Sequence, residues 1–137
     1  MRFYSIIIAM LLAIFIAGGL DKTSGAAEKE KAPAISKPSG GYTVEELFLK
    51  KEELKGKKVT VRGEVIKFNS NIMGKNWVHL KDGSGKEGTN DLTITTSQVA
   101  NVGDKVVVTG VMAINKDVGA GHKFEVLLEE GSLTPSK

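Results

Sequence analysis

Alternation of apolar and polar residues dominates the stretch from residue 57 to residue 130, and it predicts five β-strands over 57–69, 76–82, 91–95, 105–114 and 124–130. Gly, Asn and Asp cluster between these runs, and no segment long enough for a helix separates them. In the second run Val78 and Leu80 share one parity, while Trp77, His79 and Lys81 share the other. The third run sets Leu92 and Ile94 against Thr93 and Thr95 in the same way. If the aliphatic side chains fill the interior, Trp77 and His79 stand outside beside Thr93 and Thr95. An outward Trp marks a contact surface.

The first strand changes phase. Val59, Val61 and Val65 share one parity and Ile66 and Phe68 the other, so a bulge or bend is expected just beyond Gly63. A long bent first strand can pair on both sides, which sheet closure requires. Gly110, mid-way along the fourth strand, offers a similar bend. Five short strands in so few residues predict an all-β fold, a small closed barrel, with one N-terminal helix. That helix is expected over 43–54: Thr43 and Glu46 have capping-box spacing, Val44, Leu47 and Phe48 form an apolar stripe, and Gly56 stops it. Its expected role is to plug one end of the barrel. Residues 97–104 leave room for a single helical turn at most.

The N-terminus reads as an export signal. Arg2 precedes an apolar run over 6–17, and Gly25, Ala26 and Ala27 supply small residues for cleavage after Ala27. The expected organisation is a signal peptide over 1–27, a disordered linker over 28–41 rich in charge, Pro, Ser and Gly, a folded domain over 42–133 and a tail over 134–137. Export implies a periplasmic or secreted location. An uncleaved membrane anchor is the alternative, because residues 3–20 carry no charge.

Composition narrows the chemistry. The chain has no cysteine, which excludes disulfides, thiolate metal sites and a cysteine nucleophile. Net charge is +3, and residues 28–137 carry only +2, since 1–27 hold two of the nineteen basic and one of the sixteen acidic residues. The lysines at 50, 51, 55, 57 and 58 read as a solvated helix end. No Ser-His-Asp arrangement or phosphate-binding loop is evident, so a non-catalytic protein without a cofactor is expected. Asp82-Gly83-Ser84-Gly85 lacks the alternating acidic ligands of a calcium loop and reads as a hairpin turn.

The segments GKKVTVRGEVIKFN (56–69), IMGKNWVHLKDGSG (72–85), NDLTITT (90–96), VGDKVVVTGVM (102–112) and DVGAGHKFEVLLEE (117–130) together resemble the oligonucleotide/oligosaccharide-binding (OB) fold. In particular the chain resembles small exported bacterial OB-fold proteins of the nucleic-acid-binding, tRNA-anticodon-binding-like type. The resemblance implies a five-stranded OB barrel whose binding face is the outside of strands two and three, flanked by loops 70–75 and 115–123. It places Arg62, Lys67, Lys75, Trp77, His79, Thr93, Thr95, His122 and Lys123 as ligand-binding residues. The implied partner is single-stranded nucleic acid, with Trp77 stacking on a base and the basic residues near phosphates. Two alternatives stand beside it. Met73, His79 and His122 would suit a soft metal ion or haem iron in the periplasm. An outward Trp77 would equally anchor a periplasmic protein partner.

Overall fold

The computed structural model describes residues 34–136. The expected signal peptide and the first part of the expected linker lie outside that range, as does Lys137. No helix among the described residues is long and apolar enough to cross a membrane.

Among the described residues five strands form one sheet closed in a ring: β1 (Lys58–Ile72), β2 (Lys75–Lys81), β3 (Leu92–Thr96), β4 (Lys105–Gly119) and β5 (His122–Pro135). Around the ring the order is β1-β2-β3-β5-β4, and every pairing is antiparallel except β3 with β5. Closure depends on β1 serving two neighbours. Its first half pairs with β4 and its second half with β2, and Glu64 pairs with Lys105 on one side and Lys81 on the other.

The bend in β1 has two parts. Val65 pairs with Leu80 and Lys67 with His79, so Ile66 is the extra residue of a bulge and turns outward, 38% exposed. That accounts for the phase change, although the bulge falls at Ile66 rather than beside the glycine. Gly63 serves a different need: a Cβ there would lie 2.7 Å from the Lys81 carbonyl oxygen and 2.8 Å from Leu80 Cγ, so only glycine lets β1 cross β2 this closely. Near Gly110 the irregularity sits in the partner strand. Thr109 pairs with Ser132 and Val111 with Glu129, which places the extra residue in β5 at Glu130, held at φ 55°.

The ring encloses the aliphatic side chains of one parity, among them Val61, Val65, Val78, Leu80, Leu92, Ile94, Val108 and Leu128. The expected single helix is broken into α1 (Val44–Leu49) and α2 (Lys51–Leu54) at Lys50, whose φ and ψ of −106° and 21° leave the helical region. The capping box forms as expected, with Glu46 N–H donating to Thr43 Oγ1 and Thr43 N–H donating to Glu46 Oε1, each at 3.0 Å. Val44, Leu47, Phe48 and Leu54 join the core, so this segment packs against the ring's interior. Residues 97–104 contain no helix; Ala100 enters the core and an Asn101–Asp104 turn leads into β4.

Asp82 anchors α1. It is 1% exposed, accepts the Val44 N–H through Oδ2 at 2.9 Å, and accepts the Ser84 N–H through Oδ1 at 2.9 Å. The Asp-Gly-Ser-Gly turn thus supplies the carboxylate that satisfies a first-turn N–H and favours the positive end of the helix. Residues 34–41, assigned by composition to a linker, are attached to the ring: Ile35 N–H donates to the Asp82 carbonyl at 2.8 Å, Lys37 pairs with Glu46 at 3.1 Å and Arg62 Nη1 donates to the Ser36 carbonyl at 2.9 Å. At the other end β5 continues through Thr134 and Pro135, which pair with Val107 and Val106.

Candidate functional site

Trp77 pairs with Thr95 and His79 with Thr93, while their neighbours Val78 and Leu80 pair with Ile94 and Leu92 inside the ring. All four expected residues therefore share the outer face. They are not a bare surface, however. Trp77 is only 8% exposed, Thr93 6% and Thr95 3%. The expectation of an outward, solvent-facing Trp is corrected by the two hairpins that fold over it.

The first cover is the β1–β2 hairpin. β1 extends to Ile72, which pairs with Lys75, leaving Met73 and Gly74 as a two-residue turn with φ of 55° and 78°. Two successive positive φ values define the turn type that suits a twisted hairpin. Trp77 Nε1 donates to the Ile72 carbonyl at 2.9 Å and fastens this turn to the sheet. The second cover is the β4–β5 hairpin. Residues 115–123, expected to be a loop, are mostly paired strand, with Lys116 opposite Phe124, Asp117 opposite Lys123 and Gly119 opposite His122. The Phe124 ring stacks on Trp77 with centroids 5.8 Å apart and planes at 28°. Phe124 has the parity of the core residues Val126 and Leu128. The inward face of this arm thus continues past the ring and bends over the outside of β2.

Between the two hairpins lies a groove made of three adjoining hollows. The first, about 230 Å³, is lined by Ile72, Met73, Trp77, His79, His122 and Phe124 among others. The second, about 240 Å³, shares Met73 and Trp77 and adds Lys75, Thr95, Lys116 and Leu127. A third of about 380 Å³ shares Lys75 and Thr95 and ends at Glu130 and Gly131. One end is apolar with two imidazoles; the other is polar. Lys116 pairs with Glu129 at 3.0 Å, so these two charges offset each other and Lys75 gives the middle of the groove one net positive charge.

Met73, Lys75, Trp77, Thr95, His79 and His122 meet along this groove. Lys67 is exposed and sits directly across from His79 in the β1–β2 pairing. Thr93 lies beside His79 in register but beneath the surface. Arg62 stands apart on the β1–β4 side, where its guanidinium donates to Ser36 and to Ser136 Oγ at 3.1 Å. Lys123 is exposed, alternates with the groove residues His122 and Phe124, and is not among the lining side chains. His79 Nδ1 is 3.0 Å from Asp91 Oδ1.

Sequence reasoning passed over Phe124, Val118, Ile72 and Lys116 as groove residues. Phe124 has the parity of Val126 and Leu128, which is that of a core residue, and nothing local announces that the arm bends. Met73, Gly74 and Gly121 did carry a signal, as turn residues next to strands. Comparison of the chain with protein-family models and with curated proteins gives no match.

Proposed function

We propose that this protein is a binding module of the OB type that takes single-stranded nucleic acid along the groove on the outer face of β2 and β3. The groove itself carries the reading: it lies between the β1–β2 and β4–β5 hairpins, where OB domains engage extended ligands. The closed five-strand order and the doubly paired first strand support the same class.

The covered position of Trp77 changes how a base would be held. Its indole backs the platform, and Phe124, half-buried and stacked on it, offers the accessible ring. Stacking on an aromatic side chain contributes roughly 1–3 kcal/mol per base. Lys67 and Lys75 are the cations placed to meet phosphates on either side of His79 and Trp77, whereas Arg62 and Lys123 lie off the path. Two phosphate contacts give a slope of log K against log salt of about −1.4 for a single strand. Binding is therefore weak and only moderately sensitive to salt. Export goes with this reading, and N-terminal sequencing of the secreted protein beginning at Glu28 is its expected test.

Titration with oligothymidylate, followed through the single Trp, tests the proposal. A change in Trp77 emission that weakens with salt at about the stated slope is expected. No change even at low salt overturns it.

A further inference from the structure

The apolar end of the groove brings together three donors from three separate pieces of chain. Met73 comes from the β1–β2 turn, His79 from the middle of β2 and His122 from the first position of β5, and all three line the same hollow of about 230 Å³. The rest of that lining is Asn69, Ile72, Trp77, Val118 and Phe124, with no carboxylate. Among the described residues no group of three or more His, Asp or Glu side chains is arranged for a metal ion, so a third donor beside the two imidazoles would be the Met73 thioether.

We propose that Met73, His79 and His122 form a binding site for a soft monovalent cation, Cu(I) or its analogue Ag(I). Two observations besides convergence support it. First, Asp91 Oδ1 sits 3.0 Å from His79 Nδ1. A carboxylate there accepts a hydrogen bond from Nδ1–H, fixes the ring orientation and leaves Nε2 as the donor nitrogen, the arrangement that orients histidine ligands in metal sites. Second, Met73 is held in the left-handed region at φ 55° and is 55% exposed, in a turn fastened by the Trp77–Ile72 hydrogen bond. A side chain that contributes little to the core is thereby kept at the rim of the hollow.

The ligand chemistry selects the ion. Two imidazole nitrogens and a thioether are borderline and soft donors, which suit Cu(I) and leave Ca²⁺ or Mg²⁺ without a carboxylate ligand in the lining. The donor set carries no negative charge, and apart from Asn69 the rest of the lining is apolar. Such a donor set leaves less charge uncompensated on a monovalent ion than on a divalent one. Both hairpin tips contribute a ligand, so metal binding would tie the β1–β2 turn to the β4–β5 arm. The inference stands independently of nucleic-acid binding, because none of the three donors is needed to contact a phosphate.

The test is anaerobic titration of the full-length protein with Cu(I) against a chromogenic Cu(I) chelator, with Trp77 emission as a second readout. One equivalent is expected to bind and quench the indole. Met73→Leu and His122→Gln, both at exposed positions, are each expected to lower affinity by at least about tenfold, and Asp91→Asn by about 10- to 100-fold through His79. Far-UV circular dichroism confirms that each variant keeps its fold. Failure to compete with the chelator overturns the site, as does unchanged affinity in both Met73→Leu and His122→Gln. Zn²⁺ binding as tight as Cu(I) overturns the choice of ion. An oligothymidylate titration run in parallel reports on the nucleic-acid reading alone.

Discussion

Replacing Trp77 distinguishes a sealed indole from a solvent-facing anchor, and the two give different magnitudes. An indole that is 8% exposed has most of its surface covered. About 200 Å² of aromatic surface at 25 cal/mol/Å² corresponds to roughly 5 kcal/mol, an upper bound because the unfolded chain already hides part of it. The walls of the groove, Met73 and Phe124, are partly exposed and can move inward, so the void left by Trp77→Ala is smaller than in a deep core. We expect Trp77→Ala to cost about 3 kcal/mol, at the low end for an aromatic truncation. Trp77→Phe keeps most of the contact with Phe124 and loses the Nε1–H donated to Ile72, and should cost about 1 kcal/mol. Urea denaturation followed by circular dichroism measures both. With a slope of about 1–1.5 kcal/mol/M for a domain of this size, the alanine midpoint should fall by roughly 2–3 M. A loss below about 1 kcal/mol for Trp77→Ala would mean that the ring is solvated, and the account of two hairpins covering β2 would fail.

Three further expectations follow from the fold. Asp82→Ala leaves the Val44 and Ser84 N–H groups without their carboxylate and should destabilise by about 2–4 kcal/mol in urea; a change under about 1 kcal/mol would show that water replaces it freely. Gly63→Ala forces a Cβ against the Lys81 carbonyl and should cost roughly 1–3 kcal/mol, whereas a neutral result would mean that β1 and β2 can separate there without loss. The Thr43 backbone N–H, with the Lys37 ammonium beside it, holds the Glu46 carboxyl below its ordinary value. The folded state thus prefers the ionised form. Its contribution is fully present above the unfolded value near about 4.3 and is lost as pH falls through the lower folded value. Glu46→Gln should flatten the acid-side decline of the urea midpoint; wild-type and variant curves that fall in parallel would count against it.

Strand centres and facing were legible because one face of each strand is buried, and burial on one side writes a period of two into the residues. Val59, Val61 and Val65, Val78 and Leu80, and Leu92 and Ile94 all lie in the core that this period assigns them. Strand ends were less legible. The outer arm of β4 and β5 reads Asn-Lys-Asp-Val-Gly-Ala-Gly-His-Lys, which looks like a loop because neither face enters the main core. Cross-strand pairing nevertheless continues to Gly119 and His122. The helix break was hidden for a similar reason: Lys50 and Lys51 have good helical propensity, and only the three-dimensional setting, with the Lys50 ammonium 5.7 Å from the Tyr42 ring centre, distinguishes the site. For the groove, parity placed Trp77, His79, Thr93 and Thr95 on one outer face. It had no means of showing that Phe124, forty-seven residues beyond Trp77, would cover the indole.

Amide chemical-shift mapping of the isotopically labelled protein during titration with oligothymidylate tests the central claim most directly, because it reports where a ligand sits. The groove account predicts shifts concentrated in residues 67–79, 95–97, 116–124 and 129–131, with Arg62 and its β4 partner Val107 unaffected. Shifts centred on the β1–β4 side of the ring, or none at saturating oligonucleotide, would contradict it.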